Sequence, residues 1–258
     1  MKTLKEIYAY RQMIYSLVKR DLRGRYKGSA LGFLWTFINP LLQLMVYTIV
    51  FSVILKAGIE KYYLFLFVAL VPWLFFSTCL TGGTNCIMAQ QDMVKKIYFP
   101  REVLPISYVI SQFVNMLLTF LTIFVVIIIS GIGINAASLL YLPMIMIVEF
   151  ILALGMAMLV SALTVYFRDL EYILSIVSMI WMYLTPIMYG VEQVPKKIMT
   201  IFYINPMTPI VIAYRDILYY KRIPEIATLG HAFILGIVIL IIGCFTFNRL
   251  KRHFAEEL

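Results

Sequence analysis

The stretch KRDLRGRYKGSALGFLWTFINPLLQLMVYTIVFSVIL (residues 19–55) begins basic and glycine-bearing, then turns apolar and stays so. Its second half, 33–55, meets the length of about 20 residues that a helix needs to cross lipid hydrocarbon. Its first half carries Lys19, Arg20, Arg23, Arg25 and Lys27 around one acid, Asp21. Glycines recur there at every fourth residue, Gly24, Gly28 and Gly32. A helix about to enter lipid gains nothing from glycine, which weakens it. The chain therefore meets the membrane through a segment that is both cationic and able to bend.

Composition extends that reading to the whole chain. Of 258 residues, 62% are hydrophobic and 14% charged, with a mean hydropathy of +0.91. A soluble domain carries roughly a quarter charged residues, so an all-α integral membrane protein is expected. Six segments qualify as spans: about 33–55, 62–88, 103–131, 138–166, 171–189 and 228–248. The breaks KAGIEK, QQDMVKKIYFPRE, GIGINAAS and FRDLE separate the first five. The fifth break, 190–227, is long, and Pro195, Pro206, Pro209 and Pro224 bracket two apolar pieces too short to cross. These are expected to be short interfacial or re-entrant helices on the outer side, with Arg215 and Asp216 preventing a full crossing.

Charge orients the bundle. Eight Lys and Arg precede the first span, three lie in 90–102, Arg168 adds one and three follow the last span. Only seven fall on the other side, so both termini are expected in the cytoplasm. The start, MKTLKEIYAYRQMIYSLVKRD, lacks a small-residue cleavage site and reads as retained. Residues 3–22 are expected to form one amphipathic interface helix, with Leu4, Ile7, Tyr8, Ile14, Tyr15, Val18 and Leu22 on its apolar face.

Catalytic chemistry is not legible. No glycine is followed by Lys and then Ser or Thr, so a Walker A motif is absent from the sequence. Cys79, Cys86 and Cys244 make no disulfide framework, and His231 and His253 no metal site. Asp169 and Glu171 resemble a metal-binding carboxylate pair of a membrane glycosyltransferase, but a solvated turn facing a partner explains them better. Glu149 lies deep in the fourth span, where a carboxylate is costly unless paired, hydrated or neutral. It is either a channel-lining or proton-relay group, or an interhelical hydrogen-bonding one. In the first span Trp35, Asn39, Gln43 and Tyr47 follow one another at i+4 steps, an aromatic and amide stripe that lipid does not satisfy. Trp73, Phe76 and Trp181 lie at mid-depth rather than at the interfaces where aromatic belts form. Such rings and amides suit a sugar chain, with ordinary helix packing as the plainer explanation.

The segments RDLRGRYKGSALGFLWTFINPLL, KKIYFPREVLP and LTPIMYG, set among six spans, resemble the permease subunit of ABC-2 type polysaccharide exporters. The nearest likeness is to Wzm-like O-antigen permeases, with teichoic acid and capsule permeases related. The resemblance implies a homodimer in the bacterial inner membrane, joined to two ATPase subunits that bind the ATP and Mg; no cofactor is expected in this chain. Its substrate would be a glycan on a polyprenyl diphosphate lipid, and no nucleic-acid partner is implied. Gln91–Tyr98, with Asp92, Lys95 and Lys96, and the turn of Arg168, Asp169 and Glu171 would couple to the ATPase. Helices at 195–203 and 207–220 would gate the outer mouth. Arg20, Arg23, Arg25 and Lys27, with Gly28 and Ser29, would receive the diphosphate headgroup, since Arg clamps phosphate in a bidentate manner. An ABC-2 exporter of a drug or small lipid is the runner-up, and a proton-driven secondary transporter using Glu149 a more distant one.

Overall fold

A computed structural model describes residues 2–25, 28–54, 58–195, 197 and 199–258, and among these the chain is helical with turns and no strand. The basic, amphipathic start folds as two helices rather than one, α1 (Lys2–Ala9) and α2 (Arg11–Gly24). Tyr10, at φ −92° and ψ 17°, steps out between them. The face that packs on the bundle is formed by Tyr10, Met13, Ile14 and Leu17. Tyr8 and Tyr15, expected on the same face as Ile14, are 69% and 62% exposed.

The first span is α3 (Trp35–Thr48), entered through a 3-10 turn at Gly32–Leu34 and continued as a π-helical stretch, Ile49–Ile54. Pro40 inside it has no N–H to give. The carbonyl of Thr36, four residues earlier, lies 3.5 Å from the Thr119 hydroxyl instead. Next comes α4 (Tyr62–Gly83), apolar all round and buried along most of its length, which makes it the centre of the core. The short α5 (Gln91–Lys96) is followed by α6 (Val103–Ser130), α7 (Ala136–Leu139) and α8 (Leu142–Tyr166).

Glycine decides the closest crossing, between α8 and α12 (Ile226–Leu250). A Cβ added at Gly243 would stand 2.2 Å from the Gly155 carbonyl oxygen, and one at Gly155 would stand 2.6 Å from the Leu240 nitrogen. Only small residues let two backbones approach that far.

Among the described residues, five helical segments are long and apolar enough to cross a membrane: Gly32–Ile54, Tyr62–Gly83, Val103–Ser130, Ala136–Tyr166 and Ile226–His253. The remaining expected span, 171–189, is helical only over α9 (Leu170–Tyr183), and turns occupy 184–189. Fourteen residues of helix rise only about 21 Å, short of the roughly 30 Å of hydrocarbon. Pro186 disfavours helix in the residue before it, which accounts for the early stop.

In the long segment after α9, the two short helices are α10 (Met199–Ile204) and α11 (Met207–Leu218), where 195–203 and 207–220 were expected; residues 196 and 198 of the first lie outside the described residues. Of α11, every residue but Ile212 is buried, and the helix packs on α4, α8 and α12. It belongs to the bundle rather than to its surface. The chain closes with α13 (Phe254–Glu257).

A second apolar cluster gathers α2, α5 and α13 at one end. Phe254 and Phe247 pack there with Val94, Phe99, Val103, Met158 and Val165, and with Tyr10 and Ile14. Lys251 donates to the buried carboxylate of Glu102, and Arg101 to the Lys251 carbonyl, closing the same end with charge. The segments near both termini therefore meet the 91–102 loop, on the side where basic residues concentrate.

Candidate functional site

The basic segment between α2 and α3 is built as helix, left-handed turn, helix. Gly24 ends α2, and Gly28 (φ 85°) and Gly32 (φ 47°) then take positive φ values that L side chains rarely adopt. Nothing lies within 4 Å of a Cβ added at Gly24, Gly28 or Gly32, so the need there is for conformation, not space. Ser29 accepts a hydrogen bond from Trp35 Nε1 at 3.0 Å, which ties the turn to the first residue of α3.

The expected headgroup residues divide into two kinds. Arg20 and Arg23 are exposed and make no side-chain hydrogen bond or ion pair among the described residues. Arg25 is occupied: its Nε and Nη2 donate to Asp21 Oδ2 at 3.1 and 2.9 Å. Ser111 of α6 donates to the same oxygen. Lys27 lies outside the described residues. Asp21, the lone acid among the bases, was not among the expected site residues. Its i, i+4 spacing to Arg25 was the available signal.

Along α3 one face is buried through Thr36, Pro40 and Leu44. The stripe lies beside it. Asn39 and Gln43 are exposed, while Trp35 and Tyr47 are half-buried. Exposed Leu42, Met45, Val46 and Ile49 flank the amides, and α9 shows a comparable apolar surface through Ile173, Ile176, Met179 and Ile180. Hydrocarbon gives an amide no partner, so this face calls for protein or water.

The mid-depth aromatics sit elsewhere. Trp73 and Phe76 are enclosed in the core of the subunit and do not reach an open surface. Their rings lie 5.8 Å apart, and Phe76 meets Trp181 edge-on at 5.1 Å. Trp181 borders a cavity of about 390 Å³ shared with Val177, Ile180, Leu184, Phe202 and Asn205. Its Nε1 donates to Asn205 Oδ1 at 2.8 Å, and Asn205 Nδ2 donates to Thr185 Oγ1 at 2.9 Å, which joins α9 to the start of α11.

Glu149 is fully buried in α8. The Tyr214 hydroxyl of α11 donates to its Oε2 at 2.6 Å, while Oε1 has no partner among the described residues. In this state it is an enclosed group that joins α8 to α11. Next to Tyr214, Arg215 is 3% exposed and is the polar hub the sequence reading missed. Its guanidinium lies 3.6 Å over the Phe65 ring and donates to the carbonyls of Phe65, Pro186, Ile187 and Tyr189. Asp216 pairs with Arg222 at 2.7 Å. An Arg-Asp pair within an apolar helix read as a barrier to crossing; the fork geometry of guanidinium makes it a clamp.

The expected coupling residues lie at the end closed by α13. Asp92 and Lys96 form an exposed i, i+4 pair at 3.6 Å on α5, Lys95 is exposed beside them, and Val94 anchors the helix in the apolar cluster. Arg168, Asp169 and Glu171 are exposed at the α8–α9 turn. Exposed Tyr98 and Phe167 flank the two groups, an unusual display of aromatic surface beside charge.

Comparison with known proteins supplies a family. The model of the ABC-2 type transporter family matches residues 12–219. An O-antigen export system permease protein RfbA of Myxococcus xanthus is 32% identical over 260 residues, covering 100% of both chains. One of the same name from Klebsiella pneumoniae is 32% identical over 246 residues, 95% of each chain. The polysialic acid transport protein KpsM of Escherichia coli is 22% identical over 236 residues, 89% of this chain and 90% of the relative.

Proposed function

The chain belongs to the ABC-2 type transporter family, and from that premise we propose that it is the membrane subunit of a polysaccharide exporter driven by separate ATPase subunits. The observation that carries this reading is likeness to O-antigen export permeases along the whole chain at 32% identity. An exporter of a drug or small lipid has no such support.

Two copies of the chain enclose the path, with the faces of α3 and α9 turned to each other. Trp35, Asn39, Gln43, Tyr47 and Trp181 then stand where a sugar chain passes, while Trp73, Phe76 and Glu149 hold the wall behind them. Rings stack on the apolar faces of sugars and amides meet the hydroxyls. Six passes place both termini in the cytoplasm of the inner membrane, with α9 and the turns after it making the fifth. ATP and Mg bind to two ATPase subunits that dock on Asp92, Lys95, Lys96, Arg168, Asp169 and Glu171. The cargo is a glycan on a polyprenyl diphosphate lipid, and its headgroup is met by Arg20, Arg23 and Arg25, with Lys27, Gly28 and Ser29 completing the turn. Asp21 holds Arg25 ready in a half-buried position.

The test is complementation. In a strain lacking its own copy, the chain with its ATPase should restore surface polysaccharide, and its removal should leave lipid-linked glycan inside. Arg23→Lys keeps the charge but loses the fork, and should reduce export at equal expression. Restored drug efflux with no change in surface glycan would overturn the reading.

A further inference from the structure

Behind the basic turn, α2 does not lie flush on the bundle. A cavity of about 320 Å³ separates it from the end of α4 and the start of α6. That is at the lower end of ligand-sized pockets, roughly 300–1,000 Å³. Arg20 and Asp21 line it from α2, Asn85 and Gln90 from the segment after α4, and Ser107 and Tyr108 from α6.

The chemistry of the lining is specific in kind. The guanidinium of Arg20 and the amides of Asn85 and Gln90 make no side-chain hydrogen bond among the described residues. Asp21 spends Oδ2 on Arg25 and Ser111, and Oδ1 takes no hydrogen bond among the described residues. Tyr108 is held back against the wall: its hydroxyl donates to the Thr78 carbonyl at 3.2 Å, and a Cβ at Gly82 would meet it at 1.9 Å. Leu17, Ala89 and Leu104 supply apolar patches.

Four planar polar groups, donors and acceptors mixed, converge on a space with partly apolar walls. An acyl chain would strand them. A phosphate would face the carboxylate of Asp21. Neighbouring hydroxyls on a ring satisfy them all, since each hydroxyl both donates and accepts and planar groups bind such pairs in a bidentate manner. We infer that this cavity is a sugar subsite, which takes the first sugar of the lipid-linked chain: of the three headgroup arginines, Arg20 faces this sugar while Arg23 and Arg25, within one helical turn, hold the diphosphate. The inference rests on the headgroup reading proposed above, and adds to it that the sugar next to the lipid is itself recognised.

Binding in the assembled transporter, reconstituted with its ATPase in lipid nanodiscs, separates the two. The probes are a short prenyl diphosphate, the same lipid carrying one glucose, galactose or N-acetylglucosamine, and each free monosaccharide. The native protein should bind at least one glycosylated lipid tenfold or more tighter than the bare lipid, about the worth of one or two net hydrogen bonds. It should bind that free sugar weakly but measurably. The pair Asn85→Ala with Gln90→Ala, the first exposed and the second half-buried, should cut the preference below threefold and leave the bare lipid unchanged, with each single change intermediate. Arg23→Lys should weaken both lipids in parallel. Equal binding of bare and glycosylated lipids by the native protein overturns the sugar subsite, as does a preference that survives the double change. A double change that weakens both lipids equally puts phosphate in the cavity and overturns it too. Indifference to Arg23→Lys removes the headgroup reading instead, whatever the sugar ratio.

Discussion

With a phenol as its one donor, the carboxyl group of Glu149 tests how the core tolerates polarity. Glu149→Gln keeps an oxygen for the Tyr214 hydroxyl to donate to. Glu149→Leu strands that hydroxyl, and Tyr214→Phe strands the carboxyl; an unpaired buried group costs roughly 1–3 kcal/mol. Melting of the purified protein should therefore change little for Gln and fall by several degrees for Leu and Phe. Export should follow the same order. Loss of export with Gln at unchanged melting would instead restore a proton-relay role. At Gly28 the constraint is φ 85°, which a β-branched side chain hardly adopts. Gly28→Val should stop export while the protein still reaches the membrane; normal export would show that the turn needs no left-handed step. The sequence announced the glycine and Glu149 because each breaks the expectation for its place. It did not announce Arg215, since a clamp onto carbonyls is made by chain segments remote in sequence.

At the scale of elements, α5 is six residues long and far too short to persist alone. Val94 pins it while Asp92, Lys95 and Lys96 face outward, so its charges are free to be changed. Reversing all three (Asp92→Lys, Lys95→Glu, Lys96→Glu) should leave expression and melting intact and reduce co-purification of the ATPase, since interfacial charges govern association more than fold. Undiminished co-purification and export would remove the assignment. The α8–α12 crossing gives the opposite expectation. Gly155→Ala places a methyl group against the backbone of α12 and should destabilise by about 1–3 kcal/mol or more, read as a lower melting temperature. Helix existence was legible in the sequence because apolar runs of this length have few other solutions. The break at Tyr10, the short α9 and the burial of α11 were not. Each depends on what packs against the segment, and α11 in particular is charged enough to pass for a surface helix until Arg215 finds its carbonyls.

For the whole molecule, the charge asymmetry of the sequence and the gathering of α2, α5 and α13 at one end point the same way. Cysteines at Glu192 and Glu256, in a background lacking the three native ones, should react with an impermeant thiol reagent from opposite faces. Labelling of both from outside would remove the six-pass arrangement. The candidate site was legible in part: its basic turn could be read, but its cavity depends on how α2 lies against α4 and α6. One consequence of the glycine crossing concerns mechanics. Two backbones seated that closely have no room to slip, so α8 and α12 behave as a single stiff post with α4 and α11 bolted to it. By contrast α3 has left-handed glycines at Gly28 and Gly32 before it and a π-helical stretch after it, and among the described residues it leans mainly on α4 and α6. If an ATPase docks at the end where α2, α5 and α13 gather, the post would carry its work undeformed and α3 would be the part left to swing.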